Sequence, residues 1–74
     1  QADYYAFFNA YWEPLDITLP TPPHNPQGVW HRVVDTGLPA PYDINAYGQP
    51  LVPVDTQYQM APRSIIILVC ARDD

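Results

Sequence analysis

Ten prolines in 74 residues decide most of what this chain can fold into. Proline locks φ and lacks an amide donor, so it breaks a helix from within and removes a rung from a central sheet. Here the prolines fall between apolar runs: Pro14, then four between Pro20 and Gly28, then Pro39, Pro41, Pro50, Pro53 and Pro62. That punctuation excludes long helices and leaves short strands joined by turns.

Five segments read as strands. Tyr4–Trp12 carries apolar residues on both alternating faces, with Tyr4, Ala6, Phe8, Ala10 and Trp12 on one and Tyr5, Phe7 and Tyr11 on the other. Its aromatic content and the Glu13-Pro14 stop favour a strand over a helix. Leu15–Leu19 alternates cleanly, with Leu15, Ile17 and Leu19 opposite Asp16 and Thr18. Proline pre-sets a turn, so Glu13-Pro14 predicts an antiparallel hairpin over residues 4–19. Val29–Val34 is the third strand, closed by Asp35-Thr36-Gly37. Leu38–Pro53 reads as irregular, with room for one helical turn at Pro41-Tyr42-Asp43-Ile44. Val54–Met60 alternates again, and Ser64–Ala71 holds the unbroken run Ile65-Ile66-Ile67-Leu68-Val69-Cys70. Ala61-Pro62-Arg63 between them predicts a second hairpin over residues 54–71.

The fold class is therefore all-β: a small antiparallel β-sandwich or sheet of about five strands, as a single domain over residues 1–74. An antiparallel sheet of this size normally turns one face to water. The first and fifth strands are apolar on both faces, so they need cover from a second sheet, another domain or a partner chain. A chain this short buries only about 60% of the surface its unfolded form exposes. Without a staple such a core supplies about 3–5 kcal/mol.

No staple is visible. One cysteine cannot form an intrachain disulfide, which fits a reducing compartment and makes the cytoplasm the expected location. Eight acidic residues face three arginines and no lysine, for a net charge of −5. Three scattered arginines cannot neutralise a phosphate backbone or an anionic membrane, so neither nucleic acid nor membrane is an expected partner. No apolar stretch is long enough to span a bilayer. No basic leader precedes a hydrophobic run, so no signal peptide is expected. The opening Gln1-Ala2-Asp3 points to a fragment or a processed product.

No residue pattern builds a catalytic centre. A hydrolytic carboxylate pair must face across a cleft, whereas Glu13 and Asp16 flank a turn, and Asp35, Asp43 and Asp55 sit in turns or on a polar face. Cys70 lies in the most apolar strand and reads as a packing residue. His24, His31 and Cys70 lack the paired spacing of a zinc site, and His31 reads as a half-exposed strand residue. Three isolated glycines cannot form a phosphate-binding loop. No catalytic residue, metal or cofactor is expected. Arg63 could contact a neighbouring domain or a glucan hydroxyl; its planar fork favours pairing with an acid such as Asp35. Flat aromatic faces suit the apolar face of a sugar ring, so Tyr11, Trp12, Trp30, Tyr42, Tyr47 and Tyr58 are candidates for stacking. A small sheet needs large side chains in its core, which favours that role for Trp12 and Trp30. Tyr42 and Tyr47, in the long loop, are the better carbohydrate-contact candidates, with Trp30 as a third.

Four segments, in order, carry a resemblance. Asn9-Ala10-Tyr11-Trp12-Glu13-Pro14-Leu15 with Leu19-Pro20, then Trp30-His31-Arg32-Val33-Val34-Asp35-Thr36, then Pro41-Tyr42-Asp43-Ile44, then Arg63-Ser64-Ile65-Ile66-Ile67-Leu68, resemble the C-terminal region of isoamylase-type glycogen-debranching enzymes. The resemblance covers nearly the whole chain. It implies a parent glycoside hydrolase, of the α-amylase superfamily, that cleaves α-1,6 branch linkages. The parent's catalytic carboxylates would lie in an upstream (β/α)8 barrel, with none carried here. This chain would be its C-terminal accessory β-domain, packed against the barrel and meeting α-glucan through the parent. The family's C-terminal domain usually has strands before the Asn-Ala-Tyr-Trp segment that are not evident here, so an exposed edge and self-association are also expected. The competing readings are an independent carbohydrate-binding module using Tyr42, Tyr47 and Trp30, and an edge-strand protein-interaction domain.

Overall fold

A computed structural model describes residues 2–40, 42–45 and 50–72 of the chain. Among these there are six strands and no helix: β1 (Ala2–Asn9), β2 (Leu15–Thr18), β3 (His31–Asp35), β4 (Val52–Pro53), β5 (Gln57–Met60) and β6 (Ser64–Ala71). They form two antiparallel sheets, one ordered β1-β6-β3-β4 and the other β2-β5. The all-β expectation holds.

The pairing differs from both expected hairpins. β1 runs against β6, from Ala2 opposite Ala71 to Asn9 opposite Ser64. β2 runs against β5, from Leu15 opposite Met60 to Thr18 opposite Gln57. The two ends of the chain thus form one antiparallel ribbon that turns a corner and folds over itself. The corner is built from side chains that local periodicity does not register. Asn9, buried, donates through Nδ2 to Glu13 O at 3.0 Å and to Ala61 O at 3.1 Å, and accepts from Tyr11 N at 3.1 Å. Those bonds swing residues 10–14 out of the sheet instead of closing a hairpin at Glu13-Pro14. On the facing segment Arg63 N donates to Tyr11 O at 3.0 Å, and Ser64 Oγ donates to Ala61 O at 2.7 Å.

Arg63 reaches that bond with φ of 50°, in the left-handed region. For a side chain other than glycine this conformation costs about 1–2 kcal/mol. Glycine removes the strain but loses about 0.5–1 kcal/mol to its freer unfolded chain. Arg63→Gly is therefore expected to raise the urea midpoint slightly, and Arg63→Val to lower it.

The strand limits are explained the same way. The first strand ends at Asn9, not Trp12, because the Asn9 bend intervenes. Residues 38–53, expected to be irregular, contribute the short edge strand β4, where Pro53 lies opposite His31 without interrupting an inner ladder. The expected helical turn at Pro41–Ile44 lies partly outside the described residues, and residues 42–44 are not helical. Tyr42 N donates to Pro39 O at 2.9 Å, and Ile44 then bridges to Val34.

The core lies between the two sheets. Ile17, Leu19, Tyr58 and Met60 from the smaller sheet and its flanks meet Ile66, Leu68 and Cys70 of β6 and Trp30, with Tyr5 and Phe7 packed against them. β2 alternates as expected, with Ile17 buried and Asp16 and Thr18 exposed. Trp30 fills the core and stacks at a tilt on Tyr5, with ring centroids 6.0 Å apart. The proline-rich segment 20–28 closes the side. Trp30 Nε1 donates to Pro20 O at 2.7 Å, and Asn25 Nδ2 donates to Ala71 O at 3.0 Å. Gly28 lies so close to β6 that a Cβ there would stand 2.6 Å from Cys70 Sγ.

Among the described residues nothing covers the opposite face of the larger sheet. Tyr4 and Phe8 of β1, Ile65 of β6 and Leu51 beside β4 are all exposed there. The total surface is 5262 Å², against about 4,600 Å² expected for a monomer of this length. The body is a plate of 39 × 27 × 15 Å. β1 is also an edge strand, with β6 on one side only.

Candidate functional site

The polar chemistry of the chain is spent mainly on holding loops and sheets together. Asp35, at the end of β3, is buried between the sheets. Its carboxylate accepts from Tyr58 Oη of β5 and, at 2.9 Å, from Gly37 N. This is not the expected pairing with Arg63, which sits exposed at the Asn9 corner while Asp35 is already supplied with donors. Burial, reinforced by Asp35 and opposed by Arg32, pushes the Tyr58 phenol up to about 12. A phenol raised in the folded state stabilises fully below its unfolded value of 10.0, and that contribution disappears as pH rises through about 12. Tyr58→Phe leaves a buried carboxylate short of a donor and is expected to cost about 1–3 kcal/mol in urea unfolding at neutral pH. The same variant should lose less stability than wild type between those two pH values.

Asp3 and His24 tie the proline-rich segment to β1. His24 N donates to Asp3 Oδ2 at 2.9 Å, and His24 Nδ1 lies 2.7 Å from Asp3 Oδ1. Burial raises the Asp3 carboxyl, but the hydrogen bonds and charge of His24 and the charge of Arg72 together hold it below its ordinary 3.8. A depressed carboxylate stabilises above its unfolded value of 3.8, and this contribution is lost as pH falls below it. Neither pair faces a cleft suited to hydrolysis. Among the described residues no group of three His, Cys, Asp or Glu side chains could hold a metal ion. Cys70 is buried, as expected of a packing residue, and His31 is half-buried in β3.

Of the three carbohydrate-contact candidates, two are described, and they differ in exposure. Trp30 is 5% exposed, its indole turned into the core. It lies at the floor of a cleft of about 320 Å³ walled by Leu19, Pro22, Val54, Asp55 and Thr56. Tyr42 is 69% exposed on the loop after β3. Tyr47 lies outside the described residues. The sequence also misplaced Trp12. With Tyr11 it stands on the Asn9 bend, the two residues 71% and 66% exposed. The signal that could have found this pair is Asn9, a bend-forming residue ahead of Glu13-Pro14.

The second surface feature is the bare sheet face. A groove of about 370 Å³ runs along it, lined by Ala2, His31, Leu51, Val69 and Ala71.

Comparison with known proteins gives this architecture a family. The family described as "Isoamylase 1-3, C-terminal" matches residues 1–68. The chain belongs to this isoamylase C-terminal domain family. A relative, isoamylase 3, chloroplastic, from Oryza sativa subsp. japonica, is 42% identical over 66 residues, which is 89% of this chain. The match covers 8% of the rice protein's own length. The matched span of residues 1–68 takes in the Asn9 corner, with its exposed Tyr11 and Trp12, and β3 with Asp35.

Proposed function

We propose that this isoamylase C-terminal domain is a non-catalytic accessory module of a debranching glycoside hydrolase, acting on α-1,6 linkages of glycogen-like glucan. In this reading it packs against the catalytic barrel through the open face of its larger sheet and stabilises that barrel. One observation carries the reading. Tyr4, Phe8, Ile65 and Leu51 stand exposed on or beside a sheet whose other face is already packed. Fully burying each such side chain stabilises by about 1.5–3 kcal/mol, so a matching wall would gain several times that. The family match supports the catalytic barrel as that wall, since the domain accounts for a small share of its rice relative. The buried, unpaired Cys70 fits a reducing compartment, with the cytoplasm as the proposed location.

Deleting residues 1–74 from the parent enzyme tests this. The truncated barrel is expected to melt several degrees lower and to aggregate on heating, with its catalytic carboxylates intact. A truncated enzyme as heat-stable as the full one would overturn the stabilising role. Retention of the excised domain on glycogen, with a barrel indifferent to its loss, would support an independent carbohydrate-binding module instead.

A further inference from the structure

We propose that Tyr11 and Trp12 form a stacking platform for α-linked glucosyl chains, apart from the sheet face that meets the barrel. The proposal rests on the debranching reading and adds a binding site to it. Both residues are largely exposed, with ring centroids 5.8 Å apart and planes inclined by 49°. They lie beyond Asn9 on the corner, not on a strand of the open sheet.

The mount is rigid. The Asn9 side chain holds Tyr11 N, Glu13 O and Ala61 O, and Arg63 N holds Tyr11 O. Four bonds and a left-handed Arg63 fix a bend whose two largest side chains touch little else. A ring pair fixed before its ligand arrives loses little ordering entropy on binding.

The chemistry around the rings selects a neutral polyol. The chain carries a net charge of −5 and Glu13 adjoins the pair, which disfavours a polyanion. Ala10, Glu13 and Pro14, adjacent in sequence, are exposed, and of the three only Glu13 is charged. The exposed Glu13 and Arg63 offer an acceptor and donors for hydroxyls, while the ring faces suit sugar C–H groups. The inclination selects the linkage. Successive sugar faces in a curved α-1,4 chain are inclined to one another, whereas those of a flat β-1,4 chain call for coplanar rings.

The test uses the full-length parent as wild type, Trp12→Ala, Tyr11→Ala and Trp12→Phe. Glycogen retention is read by affinity electrophoresis, and maltoheptaose and cellohexaose binding by calorimetry. Trp12→Ala should weaken glycogen retention and raise the KM for glycogen by about tenfold, equivalent to about 1.4 kcal/mol. Trp12→Phe should retain most of the binding, and kcat and KM on a short singly branched maltosaccharide should stay unchanged. Cellohexaose should not bind at the pair. Unchanged retention in both alanine variants would overturn the proposal, as would equal cellohexaose affinity. So would loss of retention accompanied by a lower melting point and slower turnover of the short substrate, because the rings would then hold protein, not sugar. A wild-type parent that neither binds nor cleaves branched glucan would instead sink the debranching reading itself.

Discussion

Leu68→Ala should leave the isolated chain unfolded at room temperature. Leu68 is 0% exposed, on the strand that joins β1 to β3, with Tyr5 opposite it on one side and Arg32 on the other. Truncating a fully buried leucine costs about 2–5 kcal/mol, the removed contacts plus the cavity left behind. The whole stability of a core this size is about 3–5 kcal/mol, so the variant has almost nothing left. Urea titration followed by far-ultraviolet circular dichroism should show no folded baseline. Ile65→Ala, on the open face of the same strand, should cost less than about 1.5 kcal/mol, since the residue is already 42% exposed. Equal effects of the two substitutions would mean that the inner and outer faces have been assigned wrongly.

A second pair of substitutions separates the domain's own stability from its docking. Phe8 and Ile65 are directly opposite across β1 and β6, both exposed. Phe8→Lys with Ile65→Glu replaces that apolar pair with opposite charges, and such cross-strand pairs contribute about 0.2–1 kcal/mol relative to alanine. The isolated chain should therefore stay folded and bind less of a hydrophobic dye. In the parent enzyme, under the proposed packing, the same two changes would remove at most about 3–6 kcal/mol of apolar burial and place two charges against the barrel wall. A large fall in the parent's melting temperature, beside a small change in the isolated chain, is the expected outcome. Differential scanning calorimetry of both proteins measures it.

Much of the core was legible in the sequence because burial leaves a local mark. The Ile17 and Leu19 face of β2, the run ending in Cys70, and the inward Trp30 follow from alternation, length and apolar content. Strand pairing was not legible. Pro14 and Pro62 each sit where a hairpin turn would, and nothing in local periodicity says that Ala2 meets Ala71. What decides it is one buried asparagine and one left-handed arginine, each acting on a segment distant in sequence. The same corner explains Trp12, which fits a strand's alternation but lies beyond the bend. Charge alone matches Asp35 to Arg63, whereas the fold supplies the Tyr58 phenol from the other sheet. β4, two residues long, is below the length at which a repeating pattern exists.

The bare sheet face is tested most directly by hydroxyl-radical footprinting of the parent enzyme and of the dilute isolated chain, read at single residues by mass spectrometry. Tyr4 and Phe8 should react readily in the isolated chain and be protected in the parent, while Tyr11 and Trp12 react in both. Equal labelling of Tyr4 and Phe8 in the two samples would show that nothing covers the face, and would contradict the account.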